Sequence, residues 1–131
     1  MKKHNVEEII EQFEAGGRII EETLLTGEYK RGNREGKKLT KLFKEFEKDI
    51  GFAEECINQL YKSKCIYVRT AAAAYSLSLG IEIPKAEDAL YEISHDESLG
   101  ILGFNAEMTL KVWKKQGWLK IYPEQVIEQA E

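Results

Sequence analysis

Apolar and small residues recur along this chain at alternating four- and three-residue steps, in segments too long for strands, and glycine closes several of them. A period near 3.6 marks amphipathic helix, whereas a half-buried strand alternates at two. Val6, Ile10, Phe13, Gly17, Ile20 and Leu24 form the first such stripe. Asn5 precedes it as an N-cap, with Glu8 three residues on in a capping-box pattern. Thr26-Gly27 ends it, glycine supplying the left-handed conformation of a C-terminal cap. Tyr29, Gly32, Gly36, Leu39, Phe43, Phe46 and Ile50 form a second stripe.

Glycine inside a helix costs about 0.5–1 kcal/mol relative to alanine, so glycines on packing stripes need a tertiary reason. With a reversal at Gly27, counting places Gly17 opposite Gly36 in an antiparallel helical hairpin, and Gly16 off the seam. Gly17 and Gly36 are therefore the expected points of close backbone approach. The same reversal sets the acidic first helix, with Glu14, Glu21 and Glu22, beside a second helix carrying eight lysines and arginines between residues 27 and 50. That block is the basic one in a chain of net charge −4.

The rest of the chain is read as four more helical segments. Phe52 to Tyr61 is a short amphipathic piece. Cys65 to Leu79, stopped by Gly80, is apolar or small on every side, which marks a buried helix. Pro84 suits the first turn of the next helix, with Ala86, Ala89, Leu90 and Ile93 inward and an end near Ser94-His95-Asp96. Leu99, Leu102, Gly103, Ala106, Leu110 and Trp113 define the last inward face, closed by Gly117. Trp118, Leu119, Ile121 and Tyr122 are expected to pack back as an apolar tail.

The 131 residues suit one domain over residues 1–131. No run of 18 apolar residues could span a bilayer, and the start lacks a signal-peptide core, so no membrane association and a cytoplasmic location are expected. Cys56 and Cys65 lack metal or redox spacing and read as core fillers.

Val68-Arg69-Thr70-Ala71-Ala72 resembles the Val-Arg-x-x-Ala start of the second helix of a HEAT repeat. Two helix pairs, from about Phe52 to Gly80 and from about Lys85 to Gly117, follow at a period of roughly 33–36 residues, within the solenoid range. The fold class expected is thus all-α: an N-terminal antiparallel hairpin followed by two HEAT-like helix pairs stacked as a short αα-superhelix. With the Asn5-Val6-Glu7-Glu8 start, the Gly27-to-Asn33 helix entry and the Gly103-to-Leu110 stretch, most of the chain resembles a small bacterial HEAT-like family of uncharacterised function, the domain of unknown function numbered two thousand and nineteen. The resemblance implies no known catalytic residues and an arginine, here Arg69, that ties adjacent repeats. Ser63-Lys64-Cys65 departs from the family pattern where the capping residue of the Arg69 helix would stand.

No nucleophile elbow, P-loop, dinucleotide fingerprint or zinc-protease motif is present. His95-Asp96-Glu97 reads as a solvated turn and N-cap rather than an acid/base cluster. Catalytic, cofactor and metal sites are accordingly not expected. Arg34, Lys37, Lys38, Lys41 and Lys44 form a basic stripe able to meet an acidic partner or phosphates, though Glu35, Glu45 and Glu47 among them favour a salt-bridged solvated face. The function expected is a non-enzymatic protein-binding module. Its concrete form is an immunity-type inhibitor presenting the acidic surface beyond Gly51 to a basic toxin. A nucleic-acid-binding protein using the basic second helix, or a regulatory scaffold of a cytosolic enzyme, is the alternative.

Overall fold

The computed structural model describes residues 5–127, and among them it contains six α-helices and no strand. The helices are α1 (Val6–Thr26), α2 (Tyr29–Lys48), α3 (Ile50–Leu60), α4 (Ile66–Leu79), α5 (Ile83–Ser94) and α6 (Ile101–Gln116), with a 3₁₀ turn at Glu97–Leu99. Their ends follow local chemistry. The Asn5 side chain accepts from the Glu7 N–H at 2.7 Å and starts α1. Asp49, which the sequence reading passed over, accepts from the Phe52 N–H and starts α3 two residues earlier than expected. Gly27, Gly80 and Gly117 close α1, α4 and α6 at φ of 82°, 74° and 80°, where side chains are disfavoured.

Two cores share one helix. In the first, Phe13 of α1, Phe43 and Phe46 of α2 and Tyr75 of α4 form an aromatic cluster, with the Phe13 and Phe46 rings 5.6 Å apart and Phe43 and Tyr75 4.9 Å apart. In the second, Ala73 and Leu77 of α4 meet Ala86, Leu90 and Ile93 of α5, Ala106 of α6 and Leu119 of the tail. α4 packs on α1, α3, α5 and α6. That position explains why its sequence carries no polar face.

The hairpin register differs from expectation. Thr23 lies on Gly32, and Leu39 comes so near Gly16 that a methyl there would sit 2.9 Å from Leu39 Cδ2. α1 and α2 therefore run in opposite directions, but Gly17 does not face Gly36. A methyl on Gly17 would overlap Val68 Cγ2 of α4, whereas one on Gly36 would meet nothing within 4 Å. Gly16, expected off the seam, is buried. The reason is that α1 has two seams. Phe13, Gly16, Ile20 and Thr23 share the side that meets α2, and Gly17 belongs to a flanking face that meets α4. A single stripe read from one helix cannot separate the two.

That second seam is polar as well as close. The Glu21 carboxylate accepts from the Tyr67 N–H at 3.0 Å and lies 3.5 Å from the Cys65 thiol. Glu14 accepts from the Ser63 hydroxyl at 2.8 Å, and Ser63 Oγ in turn accepts from the Cys65 N–H. The N-terminal N–H groups of α4 have no side-chain cap from Cys65, so α1 supplies the acceptor, and its negative charge suits the positive end of the helix. Among the described residues Arg31–Glu22 joins the two helices, while Lys38–Glu35 and Lys48–Glu45 lie within α2.

The tail does pack back. Leu119 is buried, the Tyr122 hydroxyl donates to Glu47 of α2 at 2.7 Å, and the buried Gln125 amide donates to Ser78 of α4 at 2.8 Å.

Two outcomes follow for urea unfolding. Gly17→Ala should lower stability by about 1–3 kcal/mol, the usual scale of overpacking against a stiff, buried valine, while Gly36→Ala should raise it by about 0.5–1 kcal/mol. Equal effects at the two positions would contradict the two-seam packing of α1. Glu21→Ala should cost about 0.5–2 kcal/mol, as loss of a helix cap does, and Glu21→Gln less, because its amide oxygen still accepts from Tyr67.

Candidate functional site

A groove of about 1020 Å³ is bounded by α1, α2, α4, α6 and the tail. Its existence follows from residue size. Where Phe43 meets Tyr75, α2 and α4 are in contact. Toward the start of α2, Gly36 stands where a bulky side chain would narrow the gap, and Ala71 and Ala74 do the same on α4. Tyr67, Thr70 and Tyr75 of α4, Asn105 and Thr109 of α6, and tail residues 119–124 complete the lining. Tyr29 stands at the margin, 78% exposed.

The basic stripe divides at this groove. Lys37, Lys41 and Lys44 line it, at i, i+4 and i+7 on one face of α2, whereas Arg34 and Lys38 are not part of its lining. Lys38 pairs with Glu35 at 3.1 Å. Lys44 stands over the Tyr122 ring, 4.7 Å from its centroid, and Lys120 adds a further cation from the tail beside Glu124. Lys37 and Lys41 form no ion pair among the described residues. The salt-bridged reading thus fits the outer face of α2, and the inner face offers cations above an apolar and hydroxyl-bearing base. Such a surface can hold carboxylate or phosphate groups while covering apolar side chains. The groove was hidden from sequence reading because it is formed by residues that are small, and smallness reads equally as close packing.

Arg69 lies on the other side of α4. It is half-buried and lines a cavity of about 320 Å³ with Tyr61, Glu92, Ile93 and Asp96. It makes no ion pair among the described residues. His95 stacks on Tyr91 with ring centroids 4.0 Å apart, and its Nδ1 lies 2.9 Å from the Tyr91 carbonyl. Asp96 accepts from the N–H and hydroxyl of Ser98, bonds that hold its carboxyl below the usual range, and so caps the 3₁₀ turn. Among the described residues no group of three His, Cys, Asp or Glu side chains could hold a metal ion; His4 lies outside them. No helix among them is long and apolar enough to cross a membrane.

Cys56 and Cys65 are buried and unpaired. Burial pushes the Cys56 thiol up to about 12, and burial also raises that of Cys65. Only the thiolate is an effective nucleophile. At pH 8 both thiols should therefore resist an aromatic disulfide reagent in the native protein and react at once in denaturant; rapid native labelling of either would contradict the packing described.

Comparison with family models, curated proteins and solved structures finds no match to the chain.

Proposed function

We propose that this chain is a HEAT-like, non-enzymatic protein-binding module that takes an acidic segment of a partner protein in the groove between α2 and α4. The observation that carries the reading is the alignment of Lys37, Lys41 and Lys44 along a groove whose base mixes apolar and hydroxyl-bearing side chains. Buried apolar contact would supply affinity, and the lysines would steer and orient an acidic segment. In support of the repeat architecture, α5 begins 33 residues after α3 and α6 begins 35 after α4, and α4, which carries Val68-Arg69, packs on both α3 and α5. Membership of the small bacterial HEAT-like family is part of the same proposal.

An immunity-type inhibitor of a toxin is the concrete form of this module, with the contact made by the groove lysines in preference to the acidic surface beyond Gly51. Fold alone does not select that role; the charge of the groove selects the kind of segment bound.

The test uses a fluorescent acidic, amphipathic peptide and anisotropy titration at low and high salt. Lys37→Glu with Lys41→Glu should weaken binding by tenfold or more, about 1.4 kcal/mol, and Lys38→Glu on the outer face should leave it unchanged. Gly36→Leu should block binding without loss of stability, since its side chain would fill the groove. If the peptide binds equally well to all four proteins, or if duplex DNA competes for the same lysines at lower concentration, the protein-binding reading is replaced.

A further inference from the structure

Tyr75 carries a hydroxyl that the fold does not use. Its ring packs against Phe13, Phe43 and Phe46 and the residue is 5% exposed, so phenylalanine would fill the same space. The hydroxyls of Tyr61 and Tyr122 are hydrogen-bonded to Ser76 and Glu47, whereas those of Tyr67 and Tyr75 have no partner among the described residues. No fully enclosed side-chain oxygen or nitrogen among those residues lacks a partner. The Tyr75 hydroxyl is therefore not sealed in, and it opens on the groove that the residue lines. A tyrosine hydroxyl so nearly withdrawn from water ordinarily finds a partner in its own protein. This one is left to a bound group.

Tyr67 repeats the arrangement. Tyr67, Ala71 and Tyr75 stand four residues apart on one face of α4 and all line the groove, and the alanine leaves space between the two rings. Burial pushes the Tyr67 phenol up from its ordinary value and the Tyr75 phenol well above it, so both remain donors at neutral pH. Lys37, Lys41 and Lys44 supply cations to the same space, and the one carboxylate in the lining is that of Glu124 in the tail. Donors and positive charge without a matching acceptor define what is missing. A backbone carbonyl would accept from a hydroxyl but bring no charge. A carboxylate accepts on two oxygens and meets the lysines with opposite sign.

We infer that Tyr75, with Tyr67 about two turns before it, forms a carboxylate subsite on the floor of the groove, and that the bound segment inserts one acidic side chain there to accept from the Tyr75 hydroxyl. The inference rests on the groove reading and adds selectivity to it. The lysines attract any acidic segment, because charge acts at a distance. The hydroxyl acts only in contact, and a site built to hydrogen-bond one group rejects a ligand that lacks it. The segment selected is the one that places a carboxylate at a single required position.

A double-mutant cycle on the full chain tests the inference. The probes are the acidic amphipathic peptide and a set of its variants, each with one glutamate replaced by alanine. Tyr75→Phe should keep or raise the urea midpoint, since no hydrogen bond is lost, and should weaken the peptide roughly tenfold. At one peptide position, replacement by alanine should cost roughly tenfold less against Tyr75→Phe than against the parent, the non-additivity of a shared contact. At the other positions the cost should be the same against both proteins. If it is the same at every position while Lys37→Glu with Lys41→Glu still weakens binding, the subsite is overturned and the groove reading stands. A lowered urea midpoint for Tyr75→Phe overturns the subsite too, because the hydroxyl then serves the fold. If no peptide binds the parent, the groove reading fails and the subsite is judged with acetate on protein labelled with 3-fluorotyrosine, at constant pH and ionic strength. Acetate should then move the Tyr75 fluorine resonance saturably, the resonance being assigned by its absence from Tyr75→Phe, and leave that of Tyr91, outside the groove, in place. An unmoved Tyr75 resonance overturns the subsite.

Discussion

The docking of α1 on the first turn of α4 is the constraint on which the rest of the arrangement depends. A helix enclosed on several sides cannot leave its first N–H groups to water, and the Cys65 side chain makes no capping hydrogen bond to them. Glu21 answers that need from another helix, and Glu14 holds Ser63 in the loop just before. Gly17, between the two glutamates in sequence, removes the side chain that would hold α1 away from Val68. The three residues make one device: two carboxylates to bond the loop and one absence to let them reach it. With α4 fixed in this way, its two sides become the shared walls of both cores.

Local chemistry made much of this legible before any coordinates. Glycine stops at Gly27, Gly80 and Gly117, the proline start at Pro84, the buried character of α4 and the return of the tail all follow from rules that act within a few residues. What could not be read was which neighbour each face would meet. Gly17 and Gly16 are adjacent in sequence and serve different partners, α4 and α2 respectively. Periodicity reports that a face is buried and is silent on what buries it. The capping of α4 by Glu21 was invisible for the same reason, since it joins residues 46 apart. The basic stripe met the opposite limit. Its members were all identified, but only Lys37, Lys41 and Lys44 line the groove, and spacing along the helix does not say where the groove begins.

Small residues serve two opposed purposes here. At Gly17 and Gly32 the missing side chain is occupied by a neighbour, Val68 or Thr23, and the helices close together. At Gly36 the same absence is left open and becomes part of a surface. Only the position of the next helix distinguishes them. Evolution of a groove in a helical stack then requires no new chemistry, only a glycine or alanine retained where the adjacent helix has diverged.

The hydrogen bonds of the tail carry a consequence for how the molecule unfolds. In a stack whose units touch only their neighbours, stability is a sum of local terms and the ends can fray independently. Here Tyr122 reaches back 75 residues to Glu47 and Gln125 reaches back 47 to Ser78. These links tie the segment after α6 to α2 and α4, so α2 cannot leave the fold without releasing that segment. Together with the packing of α1 on α4 and α6, they couple distant parts of the chain, and contacts of such sequence separation slow folding.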